Sequence, residues 1–467
     1  MVDATQAWAP PRPSRNKWIV PALGAALILG LVLAGTMLFG REHGQKSELT
    51  NTALENDGLP HTLQELDAWY VEPPAGQNAA TFYAQGFAAL QIDKASPSLP
   101  LLGPAKLPPL GDPMPPAAKA ALSALVHSNR EALQLLVHGE KYEQSRFPLD
   151  LTQGFDLPMP HLPKVRNATL LAESSAILHA EGNDGTQAAQ DVLLALALTR
   201  SLEAEPSLIS QSMRAASVSI AVAALEQILN RTTLPPESLS QLATTLKKIE
   251  DHDASGEGFN RAIAAERVIW TAMFGMPQKL LPLVTIPGTD LSEAERKQIM
   301  ARLQKSASLK EEGQYFETAF QQLMAARKEP FPERLKTGEL IRNYVTDASR
   351  QKLVVLQWLL PALANPSVKE AGSLAHCRLG LTATALEQFR AAHDNHYPPA
   401  LSALTPDYLA ATPKDPFDGE PLRYRTAGSG YRLYSIGPDL KADSWERIDG
   451  KDGNIAFAVV RPGKPGK

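Results

Sequence analysis

Cysteine is almost absent from this chain: one residue of 467, Cys377, carries a thiol. No intrachain disulfide can form, and no site built on paired cysteines can hold zinc. A basic cluster is also lacking. The 46 lysines and arginines face 50 aspartates and glutamates, the net charge is −4, and the cations gather on no one segment. A nucleic-acid surface needs a clustered basic stripe to displace counterions, so nucleic acid is not an expected partner. Several catalytic signatures are missing as well. There is no His-Glu-x-x-His helix, no Gly-rich phosphate loop ending in Gly-Lys-Ser/Thr and no Gly-x-Ser-x-Gly elbow. No sequence feature brings two carboxylates into one cleft for acid–base work.

What is present begins with an apolar run from Trp18 to Phe39 that holds no charged residue. As a helix it spans about 33 Å, the thickness of a bilayer's hydrocarbon core. Trp18 sits where an interfacial aromatic belongs, and Pro21 falls in the first turn, where its missing N–H costs little. Arg12, Arg15 and Lys17 precede the run. Their excess places residues 1–17 in the cytoplasm, a transmembrane anchor at 18–40, and the body outside the inner membrane, in the periplasm. The rival is a cleavable signal peptide, which has a shorter apolar core and a small-x-small cleavage site.

Residues 41–116 read as linker, helical pieces and a strap. Helical spacing over Leu63–Leu90 breaks at Pro73-Pro74-Ala75-Gly76, and Ala79, Phe82, Tyr83 and Phe87 form one packing stripe. Pro97 to Pro116 holds eight prolines, which excludes helix and central strand and predicts an extended strap. Residues 117–361 read as a helical domain, with helices expected at Ala117–Glu140, Pro163–Glu181, Thr186–Glu205 and Ser207–Asn230. The third is apolar nearly all round, which means burial. Ser292-Glu293-Ala294-Glu295 opens a charged helix with a capping-box pattern, running to about Ala326, and Thr337–Leu360 is a further one. The fold class expected is mainly α. It comprises an N-terminal transmembrane helix, an irregular helical bundle or solenoid, and a small α+β C-terminal domain (374–460) with an antiparallel sheet.

Three pairs of residues invite a chemical reading. Ser349-x-x-Lys352 has the spacing of acyl-serine enzymes, and on a helix both side chains share one face; the companion motifs are missing. His393-x-x-His396 could offer two imidazoles to a metal, but it stands before Tyr397-Pro398, where a helix stops. Cys377 beside His376 points about 100° away from it on a helix, the arrangement of a small buried thiol.

The last ninety residues are the most specific. An amphipathic helix from Leu374 to Ala392 is followed by Tyr397-Pro398. Next come Asp415-Pro416-Phe417-Asp418-Gly419 and the alternating run Tyr431-Arg432-Leu433-Tyr434-Ser435, with Gly428-Ser429-Gly430 as the hairpin turn. Ile455–Val459 supplies a last strand. This order resembles the C-terminal part of the major pseudopilin of type II secretion systems. The resemblance covers Leu374 to Phe457, under a fifth of the chain. It implies a calcium-binding loop whose ligands here are Asp439, Asp452 and Asn454. Asn454 stands where that family has an acid, and Leu440 replaces its usual glycine. Some 330 residues separate the apolar run from the module, so polymerisation as a pilin is not expected. The hairpin around Gly182 is similar to one tetratricopeptide-type unit. The whole chain resembles a loose group of membrane-anchored bacterial proteins, a likeness that brings no activity with it.

The function expected is non-enzymatic: a membrane-anchored extracytoplasmic scaffold or adaptor. Its expected partners are the inner membrane and proteins of a type II secretion-like or other envelope assembly. A cell-envelope hydrolase with unidentified catalytic residues and a structural spacer are the alternatives.

Overall fold

The computed structural model describes residues 58–92, 96–276, 306–441 and 453–461, with isolated positions between 292 and 301. The apolar run at 18–39, most of the Ser292-capped helix and the acidic loop at 442–452 lie outside the described residues.

The described chain is mainly α-helical with one small antiparallel sheet at its C-terminal end. The helices before the strap and the first pair after it are α1 (Leu63–Trp69), α2 (Ala79–Ala89), α3 (Pro116–Ser128) and α4 (Arg130–Glu140). The body is built from α5 (Leu162–Glu181), α6 (Gly185–Arg200), α7 (Leu208–Leu229), α8 (Pro236–Ser255) and α9 (Glu257–Phe274). Then come α10 (Ser306–Ala326), α11 (Thr337–Arg350), the short α12 (Leu356–Leu359) and the long α13 (Pro366–Ala392). Side-chain oxygens start several of these. Asn78 accepts from Ala80 N–H, Asp184 from Gln187 N–H, and Ser207 from Ile209 N–H, each satisfying a donor that the first helical turn leaves open.

Two expected helices are each divided, and both divisions have a tertiary cause. Ala117–Glu140 breaks at Asn129, whose side chain accepts from Gln91 N–H (2.7 Å) and donates to Gln91 O (2.8 Å), clamping a distant backbone. Thr337–Leu360 stops at Arg350. The buried Glu312 carboxylate of α10 takes the N–H groups of Val354, Val355 and Leu356 at 2.8–3.2 Å, so the next helix starts on a charge from elsewhere. The Pro-rich strap forms neither helix nor strand. It is packed down: Leu99, Leu102 and Met114 are buried against Leu122 and Leu125 of α3 and Leu170 and Ile177 of α5.

At the centre α5, α6 and α7 pack on one another, and α13 lies across α7 and α8. α7 is by length and composition apolar enough to cross a membrane, but more than half of it is buried in this core. The sheet contains β1 (Arg423–Ala427), β2 (Gly430–Ser435) and β3 (Ile455–Val459) in that order, with Tyr424 opposite Leu433 and Leu433 opposite Phe457. Tyr431, Leu433, Phe457 and Val459 of the sheet join the same apolar cluster as Leu379 and Leu386 of α13 and Leu225 of α7. Burying each of these large side chains contributes about 2 kcal/mol. The sheet and the helical body therefore share one core, and α13 belongs to both.

Candidate functional site

The Asp-Pro-Phe-Asp-Gly turn is organised around one carboxylate. Asp415 has no exposure. Its Oδ1 accepts from Phe417 N–H (3.0 Å) and Ser435 Oγ (2.8 Å), and its Oδ2 from Ile436 N–H (2.8 Å) and Arg423 Nη1 (3.0 Å). A buried charge is tolerated only when so bonded. Arg423 reaches on to Asp418. Burial pulls the Asp418 carboxyl upward, but its bonds to Arg423 and Glu420 N–H outweigh this and hold it below the usual range. Phe417 is thereby pressed among Ala371, Ala375, Tyr434 and Ile436. The motif that stands out in the sequence is thus a clasp tying the turn to the end of β2.

Beyond β2 the chain enters the acidic loop and returns to the point it left. A Cβ on Gly437 would lie 1.9 Å from Gly453 O, and one on Gly453 would lie 2.8 Å from Asp439 Cγ, so only glycine lets the strands close here. This brings Asp439 and the buried Asn454 to the loop's mouth. Asp439 Oδ1 accepts from Lys441 N–H at 3.1 Å. Asp452, with Asp443 and Asp449, lies outside the described residues. Calcium takes six to eight oxygens. Asp439 and Asn454 alone fall short of that, and among the described residues no group of three acidic, histidine or cysteine side chains could hold a metal. Leu440 adopts φ +56°, so the backbone keeps the left-handed turn without the glycine that usually makes it.

The other singled-out residues do not assemble into sites. Lys352 follows the C-terminus of α11 at φ +59°, so Ser349 and Lys352 are not on one helical face, contrary to expectation. His393 Nδ1 donates to Phe389 O (2.8 Å) and its ring stacks on Phe389, which is how α13 ends. His376 bonds Gly372 O at 2.7 Å. Burial pushes the Cys377 thiol well up, with Asp253 adding to the effect, which makes it a poor nucleophile.

The structure also assembles buried polar groups that the sequence reading did not connect. Arg214 of α7 binds Asp253 of α8 (2.5 Å), and Asp253 accepts from Ser373 of α13 (2.6 Å). One turn earlier on α13, Glu370 lies between Arg327 (2.9 Å) and Arg334 (3.1 Å), and Ser367 bonds both Arg327 and Thr337. Ser367, Glu370 and Ser373 fall at i, i+3 and i+6, a signal missed because the sequence pattern predicts a helix only from Leu374, whereas α13 starts at Pro366; Arg214 inside a mostly apolar helix was the other sign. Two further clusters contain the residue types of a nucleophilic triad. In the first, Ser175 (3.5 Å) and Asp191 (2.6 Å) both approach Nδ1 of His179. A triad uses opposite ring nitrogens, so His179 cannot take the serine's proton while held by the aspartate. The Asp191 bond raises the His179 pKa, as in an ion pair. In the second, Glu205 binds both His161 (3.0 Å) and Ser210, so the serine meets the acid and not the base.

The chain matches no protein-family model, no curated protein and no solved structure.

Proposed function

We propose that this protein is a non-enzymatic scaffold or adaptor. On this reading residues 18–39 anchor it in the inner membrane, the body stands in the periplasm, and the C-terminal module meets proteins of a secretion-like or other envelope assembly. The observation that carries the reading is the sharing of α13. One 27-residue helix serves as a core helix of the body and as the packing surface of the sheet. A module so held is presented in a fixed orientation, as an adaptor requires. The buried pairing of Arg214 with Asp253 and of Arg327 with Glu370 also supports it, because these ion pairs tie α13 and its neighbours into one stiff frame. The test is crosslinking of the full chain in its native membrane, followed by identification of captured proteins. Recovery of pilus-assembly or envelope-assembly components is the expected result; their consistent absence refutes the reading.

A cell-envelope hydrolase is the second reading, favoured by one contact. Lys369 Nζ donates to Ser212 Oγ at 2.8 Å, the pairing of a serine–lysine dyad. Partial desolvation lowers the Lys369 pKa, yet the residue is exposed, and water screens that effect. Ser212 Oγ meanwhile donates to Leu208 O at 2.6 Å, so its proton does not face the lysine. Labelling by a fluorophosphonate, lost in Ser212→Ala, would favour this reading over the scaffold.

A further inference from the structure

We propose that the last strand is a pH-set latch: α7 holds the free edge of β3 through Glu226 and Asn230, and this docking tightens as the solution becomes more acidic. The inference stands apart from the scaffold reading and does not require it.

β3 is an edge strand, and an edge presents N–H and C=O groups that need partners. Here α7 supplies them. Ala458 N–H donates to Glu226 Oε1 (2.6 Å), Asn230 Nδ2 donates to Ala458 O (2.8 Å), and Val460 N–H donates to Asn230 Oδ1 (2.7 Å). Residues 226 and 230 are one helical turn apart, so the two side chains stand in for a fourth strand over three consecutive backbone groups. The chain then continues into Arg461, which donates to Glu387 Oε2 of α13 (2.8 Å) and to Tyr397 Oη (3.2 Å).

The groups around Glu226 decide the sign of the pH dependence. On its own side Arg231 bonds Glu181 and Gln227 and keeps a buried Nη2 without a hydrogen-bond partner. From β2 comes the buried hydroxyl of Tyr431, which has no hydrogen-bond partner. From α13 comes Glu387, held by Arg390 and Arg461, and from the segment after it Tyr397. Burial of Tyr431 first, and then Glu387, Tyr397 and Glu226, push that tyrosine's pKa well up, so these groups feel one another. Glu226 is half-buried where α7 meets β3, and Arg461 is taken by Glu387. Its burial raises its pKa from 4.5 to about 7, against the opposing pull of Ala458 N–H.

With β3 undocked, Glu226 meets water and returns to its ordinary range. The docked state thus takes up a proton. Its full stability is present below about pH 4.5 and is lost as pH rises through about 7. A rise from 4.5 to about 7 corresponds to about a 300-fold change in the docking equilibrium between the acidic and alkaline limits.

The test is amide hydrogen exchange of the full chain in detergent from pH 6 to 8.5, corrected for intrinsic rates. It compares a peptide covering 454–461 with one covering 188–198 in α6. In the wild type, protection of the strand falls about ten-fold over that range, beyond any change in α6. Glu226→Gln accepts the same bond but cannot ionise, so the strand loses this slope and at pH 8.5 keeps its pH 6 protection. Asn230→Ala lowers the strand's protection at every pH and retains the slope, a second readout should Glu226→Gln fold poorly. An unchanged slope in Glu226→Gln, a slope lost in Asn230→Ala, or strand and α6 protection moving in step at every pH would each overturn the latch.

Discussion

Replacing Asp415 by asparagine probes whether the Asp-Pro-Phe-Asp-Gly turn is a structural clasp. The carboxylate takes two donors on each oxygen: Phe417 N–H and Ser435 Oγ on one, Ile436 N–H and Arg423 on the other. Asparagine has nearly the same shape but one acceptor oxygen. Its NH2 must face one of the two donor pairs, so two buried donors lose their partner and the charge assistance to Arg423 disappears. A buried donor left unmade costs about 1–3 kcal/mol, and a bond to a charged group is worth about 1.5–3 kcal/mol. Arg423 retains Asp418, and the Ser435 hydroxyl can rotate, which offsets part of the loss. The expected destabilisation is about 3 kcal/mol. Ser435→Ala leaves the carboxylate three partners but also strips Gly437 N–H of its acceptor, so it should cost about 2 kcal/mol, still less than Asp415→Asn. Urea unfolding of the full chain measures both, and amide exchange over 415–436 locates the loss. If Asp415→Asn stays within about 0.5 kcal/mol of the wild type, the accounting by donors and acceptors is wrong.

Three other outcomes are expected. Burial raises the pKa of Glu173 to about 8 and of Glu266 to about 7, and both are ordinary carboxylates when unfolded. Folding therefore takes up protons, and the stability they allow, several kcal/mol in all, is present below about pH 4.5 and lost as pH rises toward 8. Glu173→Gln should stabilise the protein at pH 8 more than at pH 5.5 in denaturant titrations, and equal effects at both would contradict the sign. Leu440→Gly should add about 1 kcal/mol, because φ +56° strains leucine and suits glycine; a loss of stability would mean that the exposed Leu440 side chain has a contact of its own. Finally, on the pseudopilin resemblance, calcium should raise the melting temperature of the wild type, and Asp439→Asn should abolish that rise. No rise with the wild type would leave the acidic loop as a solvated turn.

Much of the architecture was legible because it is local. Asn78, Asp184 and Ser207 announce helix starts through their own side chains. The alternation Tyr431-Arg432-Leu433 announces a strand, and the prolines of 97–116 forbid either element. The clasp was legible as a pattern, though not as chemistry: that Asp415 serves Ser435 and Ile436, twenty residues on, needs the turn and β2 side by side. The limits of α3, α4 and α11 were not legible, because Asn129 and Glu312 exert their effect on backbone brought from far along the chain.

From its order of residues alone this chain is committed to a mainly helical body, an apolar run at 18–39 and a small C-terminal sheet, because capping, periodicity and φ restrictions act over a few neighbouring positions. Only tertiary structure decided that the sheet and the body share one core. Only it paired Arg214 with Asp253 and Glu370 with two arginines, and gave the edge of β3 to Glu226 and Asn230. Those outcomes turn on which side chains meet after burial, where an unpaired charge or donor is too costly to keep. No periodicity within one segment records its partner in another.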